Sequence, residues 1–72
     1  MWKTETSSSE RMVWASEKEP SKRLILRLNK MTKQWHVYIV EGGIEKEDIG
    51  KFHENQKNKA IFEAKKYMRI HD

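Results

Sequence analysis

Between Lys22 and Asn29 (KRLILRLN) apolar and polar positions alternate. Leu24, Leu26 and Leu28 point one way and Arg23, Ile25 and Arg27 the other. A period of two over such a run marks a strand with one buried face. Gln34 to Val40 (QWHVYIV) is dense in β-branched and aromatic residues, which suit a pleated, half-buried surface. Trp35, Val37 and Ile39 share one face of it; His36, Tyr38 and Val40 share the other. The connection Asn29–Lys33 is short enough for a hairpin, so the two runs form an antiparallel pair.

Weaker signals flank this hairpin. Arg11–Ser16 is a short strand candidate, with Met12 and Trp14 on one face and Val13 and Ala15 on the other. It is broken by Glu17–Ser21, because Pro20 has no N–H for a ladder and biases Glu19 away from helix. Gly42-Gly43 ends the second hairpin strand. Ile44–Asp48 reads as an acidic loop, and Ile49–Phe52 (IGKF) as a further short strand. From Gln56 to His71 the period becomes helical, with Asn55 as its expected N-cap. Ala60, Ile61, Ala64, Tyr67, Met68 and His71 fall within an arc of about 120° at the helical repeat. Met1–Glu10 is polar, rich in Ser and Thr and aperiodic, which predicts a flexible tail anchored at most by Trp2.

The expected fold is therefore α+β: a three- or four-stranded antiparallel sheet packed on one C-terminal helix, with a disordered N-terminal tail. Residues 1–10 form the tail and residues 11–72 one small domain. Whether residues 11–16 join the sheet is left open by the pattern.

Composition narrows the class. The chain has 72 residues, no cysteine, and equal hydrophobic and charged shares of 36%. A domain of this size buries only about 60% of the surface its unfolded chain exposes, so the core must be thin. Without cysteine there is no disulfide or thiolate-metal scaffold to support it. No apolar run approaches the roughly 18 residues of a membrane span, and the first ten residues lack an apolar signal region. A soluble, cytoplasmic protein with no membrane partner is the expectation.

The net charge of +4 hides a partition. Residues 21–40 carry Lys22, Arg23, Arg27, Lys30 and Lys33 and no acid, whereas residues 41–54 carry five acids against Lys46 and Lys51. An acid-free basic stretch suggests an anionic partner. The competing reading is that these bases pair with the 41–54 acids within the fold.

Catalysis finds little support. His36, His53 and His71 have no metal-ligand spacing and no cysteine to complete a site. Gly42-Gly43 is a strand-ending turn rather than a phosphate loop. A carboxylate pair needs a shaped, partly dry pocket, which a thin core hardly supplies. Catalytic residues, metal and cofactor are all expected to be absent.

Two surfaces carry other chemistry. On the sheet face away from the helix, Arg23 and Arg27 lie beside His36 and Tyr38, basic groups interleaved with an aromatic. Arginine contacts phosphate or guanine, Tyr38 stacks or packs on sugar, and Lys22, Lys30 and Lys33 at the hairpin ends add phosphate contacts. Nucleic acid is the partner this face suggests. On the outer helix face, Lys59, Phe62, Lys66 and Arg69 project together, with Ile70 also outside the core arc. Aromatic and arginine residues are enriched at protein interfaces, so the alternative is an interaction factor docking on a larger protein through this face or a sheet edge. A homodimer through sheet or helix is a further alternative, and a solvated face or one covered by the tail is the plainest.

Lys33-Gln34-Trp35-His36-Val37-Tyr38-Ile39, then Ile49-Gly50-Lys51-Phe52, then Ala60, Ala64 and Tyr67 together resemble the AP2 and integrase arm-binding type of DNA-binding domain. In that family three antiparallel strands pack on one helix, and the resemblance covers about residues 22–70. It implies that the open sheet face enters the major groove and assigns contacts to Arg23, Arg27 and Tyr38.

Overall fold

The computed structural model describes all 72 residues, Met1–Asp72. Five strands follow one another as β1 (Trp2–Ser7), β2 (Arg11–Ser16), β3 (Lys22–Asn29), β4 (Gln34–Glu41) and β5 (Ile44–His53). They form a single antiparallel meander in the order β1-β2-β3-β4-β5. A 3-10 turn (Glu54–Gln56) leads into α1 (Lys57–Ile70), which packs across one face. The architecture is α+β, as expected, but the sheet has five strands rather than three or four.

The central hairpin follows its alternation. Leu24, Leu26, Val37 and Ile39 are fully buried beneath the helix, with Trp14 and Trp35 beside them. The helix contributes Ala60, Ala64 and Tyr67 to this core, and Ile61 and Met68 pack at its margin. Two alanines on the contact face let the helix lie close to the sheet, where larger side chains would hold it off. His71, the last residue of the expected arc, is exposed but stacks on the Tyr67 ring at 4.0 Å between centroids. In the β3–β4 turn Asn29 Oδ1 accepts hydrogen bonds from the amides of Met31 and Thr32, at 2.9 and 3.3 Å. In the β4–β5 turn Gly42 and Gly43 both take positive φ, 60° and 82°, which side chains with a Cβ rarely adopt.

Three expectations are corrected. The N-terminal segment is not a disordered tail: Trp2–Ser7 is strand β1, paired with β2 from Trp2↔Ser16 to Ser7↔Met12. Trp2 packs edge-on against Tyr67, with centroids 6.2 Å apart. The serine run is the hairpin turn, where Ser8 Oγ donates to the Arg11 carbonyl and accepts from the Arg11 amide. Residues 44–48 are not a loop either. They belong to the ten-residue β5, whose register slips at two places opposite Val37/Tyr38 and Ile39/Val40. Each slip inserts an extra residue and reverses the side-chain alternation, so β5 shows no clean period in sequence.

The third correction concerns the helix start. His53 caps the 3-10 turn by accepting from the Asn55 amide at 3.2 Å, and α1 begins after Gln56 with no side-chain cap. The joint is instead fixed from the sheet. Trp35 Nε1 donates to the Glu54 carbonyl and the Glu54 amide donates to the Lys33 carbonyl, both at 2.9 Å. Lys57, unfavourable at a helix N-terminus, holds its ammonium 5.2 Å from the centre of the Trp35 ring and 3.3 Å from the Ser9 carbonyl oxygen. The cation–π contact and this hydrogen bond offset the dipole penalty. No helix is long and apolar enough to cross a membrane.

Candidate nucleic-acid interface

Strand register decides which side chains share the open face. Arg11 lies opposite Arg27, Arg27 opposite His36, and His36 opposite Lys51. Directly paired residues point to the same side of a sheet, so one row of basic side chains crosses β2, β3, β4 and β5. Arg11, Arg27 and Lys51 are exposed, and none of the three makes an ion pair. One step along the strands a second row runs Val13–Ile25–Tyr38–Asp48. Val13 is buried even though this face carries no helix; its cross-strand neighbours are Thr6 on β1 and Ile25 on β3. The second row is thus an apolar and aromatic floor beside the basic one.

His36 and Tyr38 join the two rows. Their rings lie 4.5 Å apart with a 33° tilt. His36 Nε2 is 3.2 Å from Asp48 Oδ1 but lacks the direction of a hydrogen bond and has no other partner. Arg11, Arg27, His36 and Tyr38 all line a shallow groove of about 980 Å³ between the β1–β2 and β3–β4 turns.

The hairpin cations proposed from sequence do not act together. Arg27, His36 and Tyr38 meet at the groove. Arg23 is held by Glu5, Nε to Oε1 at 2.7 Å, and also donates to the Pro20 carbonyl. Lys30 lies at the groove margin, paired to Glu10 at 2.7 Å. Lys33 is exposed in the turn at φ 56° and unpaired. Lys22 is turned to the helix side, with its ammonium 5.6 Å from the Tyr67 ring centre and 3.9 Å from Glu19. Burial lowers its pKa, but Tyr67 and the nearby Glu19 and Glu41 carboxylates outweigh that, and the pKa is raised.

The acids that form ion pairs with the lysines and arginines of this hairpin are Glu5, Glu10 and Glu19; from residues 41–54 Asp48 approaches His36 and Glu41 lies beside Lys22. Arg11 and Lys51 complete the row and were missed by sequence reasoning. Their strands gave no register, and only the alternation Arg11/Val13/Ala15 hinted that Arg11 faces outward.

On the outer helix face Phe62 and Ile70 are 59% and 66% exposed, as the helical period predicts. They lie eight residues apart on one ridge with Lys66 between them, so they do not merge into a continuous apolar patch. Lys59, Lys66 and Arg69 surround them without ion-pair partners. Trp2 covers Tyr67 rather than this face.

No family model, no curated protein and no solved structure matches the chain.

Proposed function

We propose that this protein is a non-catalytic nucleic-acid-binding module that uses its open sheet face. The observation carrying this reading is the row Arg11–Arg27–His36–Lys51, basic on four adjacent strands, with three of its members unpaired. Like charges directly opposite each other destabilise a sheet, so folding alone gives no reason for the row. A polyanion lying along it supplies the missing counter-charge, and Tyr38 offers an aromatic face to a base or sugar. Arg11, Arg27 and Lys51 take the phosphate contacts, Lys30 lines the same groove but is paired to Glu10, and Arg23 is already committed to Glu5.

Salt dependence of binding tests this directly. Each phosphate contact adds roughly 0.7 to 0.9 to the slope of log affinity against log salt. Replacing Arg11 and Arg27 together with Ala should reduce the slope by about 1.4 to 1.8. Arg23→Ala, which leaves Glu5 without its partner, should reduce it little. An unchanged slope in the double variant rules out the proposed face.

A further inference from the structure

Resting on the reading above, we infer that the preferred ligand of the open face is a single-stranded nucleic acid, laid across the strands with its phosphates on the basic row and its bases on the floor beside it.

Width is the first reason. Five strands spaced about 4.8 Å apart make a face about 19 Å across, whereas the major groove of a duplex is about 12 Å wide. A three-stranded sheet, as in the AP2-like arrangement, fits that groove; this sheet carries its basic row over four strands and is too broad to enter. The layout of the face is the second. The cations Arg11, Arg27 and Lys51 lie in one line with the His36 imidazole, and the apolar and aromatic side chains in a parallel line, Val13–Ile25–Tyr38. Adjacent rows on one face are about 7 Å apart, two residues along the strand. A single strand has the same division, phosphates along one side and bases along the other. A duplex presents phosphates on both sides and hides its base faces in the stack, leaving Tyr38 nothing to stack upon.

The third reason is that this part of the face is recessed: Arg11, Arg27, His36 and Tyr38 line one groove. Extended backbone can follow such a channel, and unstacked bases can lie on its aromatic side, the combination used by sequence-tolerant single-strand binders. Asp48 closes the floor row at β5 and approaches His36 at 3.2 Å. Glu10, paired to Lys30, and Glu45 also line this groove; Asp48 lies in the floor row itself, opposite Tyr38, and repels a phosphate placed there.

The test is fluorescence anisotropy with labelled oligothymidine, oligouridine and a mixed-sequence duplex, each about 15 nucleotides long, at about 50 and about 200 mM salt. Either single strand should bind at least about tenfold tighter than the duplex, and comparison of the two shows whether the 2′-hydroxyl contributes. Tyr38→Leu should weaken single-strand binding by about tenfold while Tyr38→Trp retains it, because stacking on a base is what the ring supplies. Asp48→Asn should tighten binding. Thermal melts of each variant show whether the fold is intact. Duplex binding equal to or tighter than single-strand binding overturns the inference while leaving the nucleic-acid reading in place. Equal single-strand affinity in a folded Tyr38→Leu variant overturns it too. Binding to none of the three probes removes both.

Discussion

At the scale of single residues the molecule divides its cations into two kinds. Arg23, Lys30 and Lys22 are each matched to an acid or a ring, whereas Arg11 and Arg27 face each other across two strands and neither forms an ion pair. Opposed like charges cost a sheet roughly 0.2–1 kcal/mol per pair. Arg27→Thr, which places a good strand former between Arg11 and His36, should therefore raise stability by about 0.5 kcal/mol in chemical denaturation. The same change should weaken nucleic-acid binding. A variant that loses stability through this exposed substitution would show that the row is compensated within the fold. Arg27, His36 and Tyr38 were legible in the sequence because clean alternation in the hairpin fixes their face. Arg11 and Lys51 were not, since membership of the row depends on the registers β2↔β3 and β4↔β5, and neither is encoded locally.

At the scale of elements the strongest local signals were the β3–β4 hairpin and the helix, and both formed where their periods predict. β1 was hidden by its composition. Its only half-buried side chain is Trp2, and the alternation Trp2-x-Thr4-x-Thr6 is short and interrupted by a bulge after Thr4. β5 was hidden by two bulges that shift its register.

The helix is tied to that irregular strand by one polar contact. Tyr67 Oη donates to Glu47 Oε2 at 3.2 Å, which explains why a carboxylate is tolerated on the helix side of the sheet. Burial raises the Tyr67 pKa above its ordinary value, an effect that Lys22 opposes and Glu47 reinforces. With the folded-state pKa raised, the protonated phenol is favoured by folding. Its contribution is complete below the unfolded value near pH 10 and is lost as pH rises through the folded value. Thermal melts across the alkaline range should show the melting temperature falling above about pH 10. In Tyr67→Phe that fall should be shallower, with a loss of about 1 kcal/mol at neutral pH from the missing hydrogen bond. An alkaline limb of equal steepness in Tyr67→Phe would assign the fall to other groups.

At the scale of the whole molecule, a single helix seals one side of a five-stranded meander and leaves the other side open. The acid-free stretch 21–40 pointed to this open side, and the charge partition was the informative feature of the sequence. What the linear charge count could not show is that Glu5 and Glu10, far away in sequence, neutralise two of the five cations of that stretch. Its effective charge moves instead to one end of the sheet, where Arg11 and Lys51 extend it. The helix surface with Phe62, Lys66, Arg69 and Ile70 lies on the opposite side of the molecule, so the two candidate faces are separable in one experiment. A titration of isotopically labelled protein with oligothymidine, followed by amide and side-chain chemical shifts, locates the contact on the structure. The largest changes should fall on Arg11, Arg27, His36, Tyr38 and Lys51. Changes concentrated on Lys59, Phe62, Lys66, Arg69 and Ile70, with the basic row unmoved, would contradict the account.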